Sequence, residues 1–239
     1  MDGNDGQTAL VRRGWEAIRA VLRSESCSGL KWPAGMSRAD RRAWYAATTL
    51  HDLGELTARW LERDLDSQPG YRAGCGPDEE TAHLVPILAR LCRAGYVTDG
   101  SQPGQLDDSL PDEPPYAQRA AVEGFCTPET ATVLHEAAAD AGLLVVDAVP
   151  AGWRYDYSNV IDVSALGEQM VTSFGARPTP RDLRSLRFAE CCDEMLDVLC
   201  RSRYVTVVDP VWGRDNVLWP ALELALTRAT QQDQPNERN

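Results

Sequence analysis

Lysine is nearly absent from this chain: Lys31 stands alone, the other basic residues are scattered arginines, and 36 Asp and Glu against 24 Lys and Arg give a formal charge of −12. Binding to nucleic-acid phosphates needs cations clustered on one face, so this balance excludes non-specific nucleic-acid binding. Seven cysteines, at 27, 75, 92, 126, 191, 192 and 200, form no C-x-x-C pair and are odd in number. That pattern argues against a zinc cluster and a complete disulfide framework, and it fits a reducing, cytoplasmic setting. No G-x-G-x-x-G, G-x-x-x-x-G-K-[ST] or H-E-x-x-H occurs, which removes the usual support for nucleotide-phosphate and zinc-protease chemistry. Histidine is limited to His51, His83 and His135, each inside a helical pattern, where a surface or core-edge role is the ordinary one. No apolar run approaches membrane-spanning length, and the start Met1-Asp2-Gly3-Asn4-Asp5 is polar and acidic. Neither membrane insertion nor secretion is expected.

What is present suffices for a core: 239 residues, 43% of them apolar, fit one large domain with an extension. Leu10, Val11, Trp15, Ile18, Val21 and Leu22 recur at helical spacing before a Gly/Pro break. Arg38 to Asp64 reads as a long amphipathic helix or helix pair, and Ser67 to Pro77 as a loop. A helix then opens at Asp78-Glu79-Glu80-Thr81, with acids placed to complement its dipole. The spacing predicts a strand over Gly95–Thr98 ending in a polar corner, Thr98 to Gly104, and an acidic Pro-rich loop to Pro115. Further predictions are a strand at Tyr116–Phe125, a helix at Pro128–Ala141, a strand at Leu143–Val149 and a strand or hairpin at Trp153–Val163. The last elements are a helix from Pro180 to about Arg201 capped by Thr179, a strand at Tyr204–Val208 and a helix at Leu218–Ala229. This order of elements specifies a mixed α/β or α+β fold, a central sheet flanked by helices. Expected bounds are an N-terminal helical extension over 1–36, the main domain over 37–230 and a disordered tail over 231–239.

Polar clusters mark the candidate ligand-binding positions: Glu80-Thr81 at a helix start, Thr98 to Gly104 with Ser101 and Gln102 at a strand end, and Thr179 at another helix start. A strand end leaves backbone groups without ladder partners, and hydroxyl and amide side chains add donors and acceptors beside them. Each cluster alone is also an ordinary cap or turn. The tetrapeptide Ser-Gln-Pro-Gly occurs at both 67–70 and 101–104, without matching flanks, and reads as coincidence.

Taken together and in order, these segments resemble the C-terminal regulatory domain of eukaryotic methylenetetrahydrofolate reductase. Gly95-Tyr96-Val97-Thr98-Asp99-Gly100-Ser101-Gln102-Pro103 resembles its Gly-Ile-Leu-Thr-Ile-Asn-Ser-Gln-Pro stretch, with Glu80-Thr81 upstream like its Glu-Thr pair. Tyr116 to Phe125 followed by Pro128-Glu129-Thr130-Ala131, then Pro178-Thr179 with Asp182, and finally Tyr204 to Asp209 with Asp215-Asn216-Val217-Leu218-Trp219, resemble later elements of that domain. The likeness covers roughly residues 37 to 229 and five motifs in register.

That resemblance implies a site for S-adenosylmethionine or S-adenosylhomocysteine, with Glu80, Thr81, Thr98, Ser101 and Thr179 as contacts and Gln102 within the same stretch. It implies no flavin and no folate site, because the reductase barrel is missing; no metal is expected. Two functions follow as expectations. One is a free-standing sensor or regulatory module that reports to a protein partner or a second copy through the N-terminal helix. The other is an S-adenosylmethionine-dependent methyltransferase acting on a small molecule, with Asp99, Asp209, Tyr155 and His135 as the acid–base groups at hand.

Overall fold

The computed structural model describes residues 35–71, 73–107, 114–149 and 157–232; the expected helix at 10–22, the aromatic positions 153 and 155, and nearly all of the expected tail lie outside them. Two capped helices begin the described chain. Ser37 accepts from the Asp40 amide to start α1 (Arg38–Ala46), and Thr49 with Asp52 forms a reciprocal capping box that starts α2 (Leu50–Leu61). The amphipathic run is thus a helix pair. Trp44, wholly buried, fixes the following loop by donating from Nε1 to the Ser67 carbonyl at 2.9 Å.

A 3₁₀ turn (Glu79–Leu84) leads into α3 (Val85–Arg93), which packs on α2. The closest approach is at Gly54, where an added Cβ would stand 2.2 Å from the Cys92 carbonyl oxygen. Eight strands follow among the described residues: β1 (Tyr96–Gln102), β2 (Gln105–Asp107), β3 (Tyr116–Gln118), β4 (Ala121–Cys126), β5 (Leu144–Ala148), β6 (Ile161–Leu166), β7 (Gln169–Phe174) and β8 (Arg203–Val208). They form two antiparallel four-stranded sheets, ordered β1-β4-β8-β5 and β2-β3-β6-β7. The fold is mixed α+β, as the pattern of elements specified, with the strands divided between two sheets rather than gathered in one central sheet.

The two sheets share a ribbon. β1 pairs with β4 and β2 with β3, so one long hairpin passes from the first sheet into the second, bending at Pro103-Gly104 on one arm and Arg119-Ala120 on the other. The expected single strand Tyr116–Phe125 is therefore two. Two glutamines pair the carbonyls exposed by the bend: Gln102 Nε2 donates to the Arg119 and Val163 carbonyls (2.9 and 2.8 Å), and Gln118 Nε2 donates to that of Pro103 (2.9 Å).

Helix α4 (Pro128–Ala141) matches its expected bounds, opened by Thr127 and closed by Gly142 in the left-handed region at φ 66°. Positions 153–156 of the expected strand or hairpin lie outside the described residues; within them a hairpin is formed by β6 and β7 over 161–174, and the expected segment overlaps it only at 161–163. The expected continuous helix to Arg201 is interrupted. After the Thr179-capped turn Pro180–Asp182 comes one π-helical turn (Leu183–Arg187), then a break, and α5 (Asp193–Arg201) begins separately. Helix α6 (Leu218–Gln232) packs on α4. The main core joins α1 to α6 with the first sheet, centred on fully buried Phe125 and Tyr204, whose rings meet edge to face at 4.8 Å. No helix among the described residues is long and apolar enough to cross a membrane.

Candidate functional site: a cleft beside a bulged strand

The strand expected to stop at Thr98 instead runs on to Gln102, and its irregularity makes the site. Thr98 pairs with Gly124 and Gly100 with Glu123, so Asp99 is an extra residue in the ladder. In a regular strand, residues three apart face opposite sides. The bulge restores Thr98 and Ser101 to one side, and both line the same cleft.

The other walls come from α2 (Thr57, Trp60, Leu61), the loop after it (Gln68, Tyr71, Pro77, Asp78), the 3₁₀ turn (Thr81) and α3 (Leu88). The cleft is open to solvent and has a cavity volume of about 80 Å³. A space of that size suits one compact group, so a larger ligand extends beyond the open face of the cleft.

Most polar groups around the cleft are held in place. Thr81 Oγ1 donates to the Asp78 carbonyl at 2.9 Å, which leaves its oxygen free to accept. Thr98 Oγ1 lies 3.3 Å from the buried Cys92 Sγ, and burial pushes that thiol's pKa up. The Asp99 carboxylate accepts from the Tyr204 hydroxyl at 3.0 Å and forms an ion pair with Arg187 of the π turn. Glu80 stays exposed beside Thr81; crowding by neighbouring atoms, and then the charge of Asp78, raise its carboxyl pKa above the ordinary 4.5.

Of the positions singled out from sequence, the structure brings Thr81, Thr98 and Ser101 together, with Glu80 adjacent in the chain to Thr81. Gln102 is buried and committed to the bend of the ribbon. Thr179 stands outside the cleft walls in a capping box: its own amide donates to Asp182 Oδ2 at 3.1 Å, and its Oγ1 accepts from the Asp182 amide at 3.3 Å. Sequence reasoning missed Thr57, Trp60, Gln68 and Tyr71. One signal was available: the two Ser-Gln-Pro-Gly segments both reach this cleft, one through Gln68 and the other through Ser101.

Three of the four acid–base groups considered for methyl transfer are otherwise engaged. His135 Nε2 lies 3.1 Å from Asp147 Oδ2, and the wholly buried Asp209 receives Arg214 Nε at 2.7 Å and the Val211 amide at 2.9 Å. Asp99 is paired as described, and Tyr155 lies outside the described residues. Among the described residues, no group of three His, Cys, Asp or Glu side chains is arranged to hold a metal ion.

Comparison with known proteins found no match among curated sequences. A family described as a domain of unknown function, DUF6919, matches residues 39–229, a span that carries every wall of the cleft and all the strands of both sheets. The chain belongs to the DUF6919 family.

Proposed function

We propose that this protein binds S-adenosylmethionine and S-adenosylhomocysteine in the cleft and acts as a free-standing sensor or regulatory module. The observation that carries this reading is the bulge at Asp99, which turns Thr98 and Ser101 toward one space already faced by Thr81. Such a ligand offers an amino-acid end, a sulfonium, a ribose diol and a flat adenine. It needs short hydroxyl partners, nearby negative charge and an apolar slot. Thr81, Thr98 and Ser101 supply the first, Asp78 the second, and Trp60, Leu61 and Leu88 the third; Glu80, beside Thr81 in the chain but outside the cleft walls, adds negative charge close by. The cleft accepts one end of the molecule, and the rest extends past its open face. A sensor follows if the two ligands favour different conformations, since a ligand shifts an equilibrium only by its differential affinity.

Calorimetric titration with both compounds tests the reading directly; failure of both to bind removes it. Ser101→Ala and Thr98→Val are expected to weaken binding by roughly three- to ten-fold each, the worth of one neutral hydrogen bond. Glu80→Gln should cost roughly ten- to a hundred-fold, because a charged partner is lost.

A pH profile provides a second check. A carboxyl whose pKa in the fold lies above the ordinary 4.5 still carries its proton at mildly acidic pH. A cationic ligand then gains its partner only as Glu80 ionises. Affinity for S-adenosylmethionine should therefore climb as pH rises from 4.5 through the raised value and then level off. A flat profile over that window would remove Glu80 from the site.

A further inference from the structure

Behind the cleft wall lies a polar atom with no partner. Gln68 is 6% exposed, lines the cleft, and its Oε1 is sealed from water without a hydrogen bond. A buried acceptor left unmade is costly, and native structures rarely keep one that a ligand or neighbour does not use. Three residues on, Tyr71 keeps half of its surface exposed at the same cleft. Its ring leans on Trp60, with centroids 5.0 Å apart and planes at 48°. Trp60 is itself fixed, 5% exposed and donating from Nε1 to the Cys75 carbonyl at 3.1 Å. The loop therefore carries an aromatic ring braced from behind and, three residues before it, a buried acceptor that lacks a donor.

We propose that Gln68 and Tyr71 form a recognition element for a flat nitrogen heterocycle bearing an N–H donor, of the aminopurine nucleoside class. The inference rests on the adenosyl reading above and adds which end of the ligand this side of the cleft takes. The ring stacks on Tyr71, as bases stack on aromatic side chains without regard to charge. With the Gln68 side chain turned toward the cleft, an exocyclic amine donates to its Oε1, which relieves the unpaired acceptor. Asp78 and Asp99, which also line the cleft, disfavour a phosphate, so the class is a nucleoside or its sulfur derivative rather than a nucleotide. The hydroxyl side formed by Thr81, Thr98 and Ser101 is left for the sugar and the amino-acid end.

The test uses the full chain and four probes: adenosine, purine riboside (which lacks the exocyclic amine), S-adenosylhomocysteine and S-adenosylmethionine. Wild-type protein is expected to bind adenosine about ten-fold more tightly than purine riboside, because a site built to hydrogen-bond a donor rejects the analogue without it. Gln68→Leu should abolish that preference, and Tyr71→Ala should weaken both ribosides about ten-fold. Equal affinity of the wild type for the two ribosides overturns the inference, and this arm needs no variant to fold. If S-adenosylhomocysteine binds far more tightly than adenosine while the ribosides are not distinguished, the adenosyl reading stands and the Gln68 assignment fails. If adenosine is preferred over purine riboside but neither sulfur compound binds more tightly than adenosine, the ring site stands and the adenosyl-sulfur reading fails. Absence of binding by all four overturns both.

Discussion

Replacing Asp99 with leucine is expected to destabilise the protein by about 3–5 kcal/mol, a large part of a typical domain's stability. The Asp99 side chain is 10% exposed and its partner Arg187 is 17% exposed, so the pair is mostly removed from water. The Tyr204 hydroxyl, on a fully buried residue, donates to the same carboxylate at 3.0 Å. Removing the acid takes from the Arg187 guanidinium its ion-pair partner in a site mostly shielded from water, and from the Tyr204 hydroxyl one of its acceptors. The penalty is that of breaking a buried pair by removing one side of it, which exceeds that of a lost surface contact. Urea unfolding of the single variant and of Asp99→Leu/Arg187→Met provides the measurement. The double variant should recover most of the loss, since two apolar groups of similar size replace a pair whose desolvation offset its attraction. A single variant within about 1 kcal/mol of wild type would show that the pair contributes little.

Gly54→Val is the second large effect, expected at about 3 kcal/mol or more. The first added carbon would stand 2.2 Å from the Cys92 carbonyl oxygen and 3.0 Å from its carbon, backbone atoms that cannot swing aside. Helix α2 must then move off α3, and α2 supplies Thr57, Trp60 and Leu61 to the cleft. The variant should lose thermal stability and, where it still folds, lose affinity for any ligand of the cleft. Gly142→Ala makes a useful contrast. Nothing lies within 4 Å of a carbon added there, and the left-handed φ of 66° alone should cost about 1 kcal/mol.

Local chemistry explains which elements could be read in advance. Helix Pro128–Ala141 carries its own start and stop in Thr127, Pro128 and Gly142, so no distant partner was needed to place it. The run from Tyr116 to Phe125 carries no comparable punctuation. Its division at Arg119 is imposed by β6, whose Val163 carbonyl accepts the Arg119 amide at 2.8 Å, across more than forty residues of chain. The helix expected from Pro180 to Arg201 keeps apolar spacing throughout, yet its first part is held elsewhere. Gly70 approaches so closely that a carbon added to it would lie 2.7 Å from the Leu186 carbonyl oxygen, and Arg187 is drawn to Asp99. Tertiary contacts there override the helical period.

The candidate site divides along the same line. Thr81, Thr98 and Ser101 were legible because each belongs to a polar cluster where an element starts or departs from its pattern. That the last two share a face depends on the bulge at Asp99, in a stretch where the sequence pattern ends the strand at Thr98. Thr179 and Gln102 belonged to equally polar clusters, and the structure uses the first as a helix cap and the second at a strand corner. Gln68 and Tyr71 sit in a loop whose composition says turn; beyond the duplicated tetrapeptide that includes Gln68, only the folded chain sets Tyr71 against Trp60 and both residues on the cleft that Ser101 lines.

The glutamine-tied bend between the sheets also fixes registry. Sliding β1 by one residue against β4 would carry Gln102 away from the carbonyls of Arg119 and Val163, and would strip Pro103 of the donor it receives from Gln118. It would also turn Thr98 and Ser101 to the opposite side of the strand. The corner acts as a pin that denies the ribbon its nearest misaligned pairing, and the hydroxyl pair at the cleft keeps its aim because slippage has been made expensive some distance away.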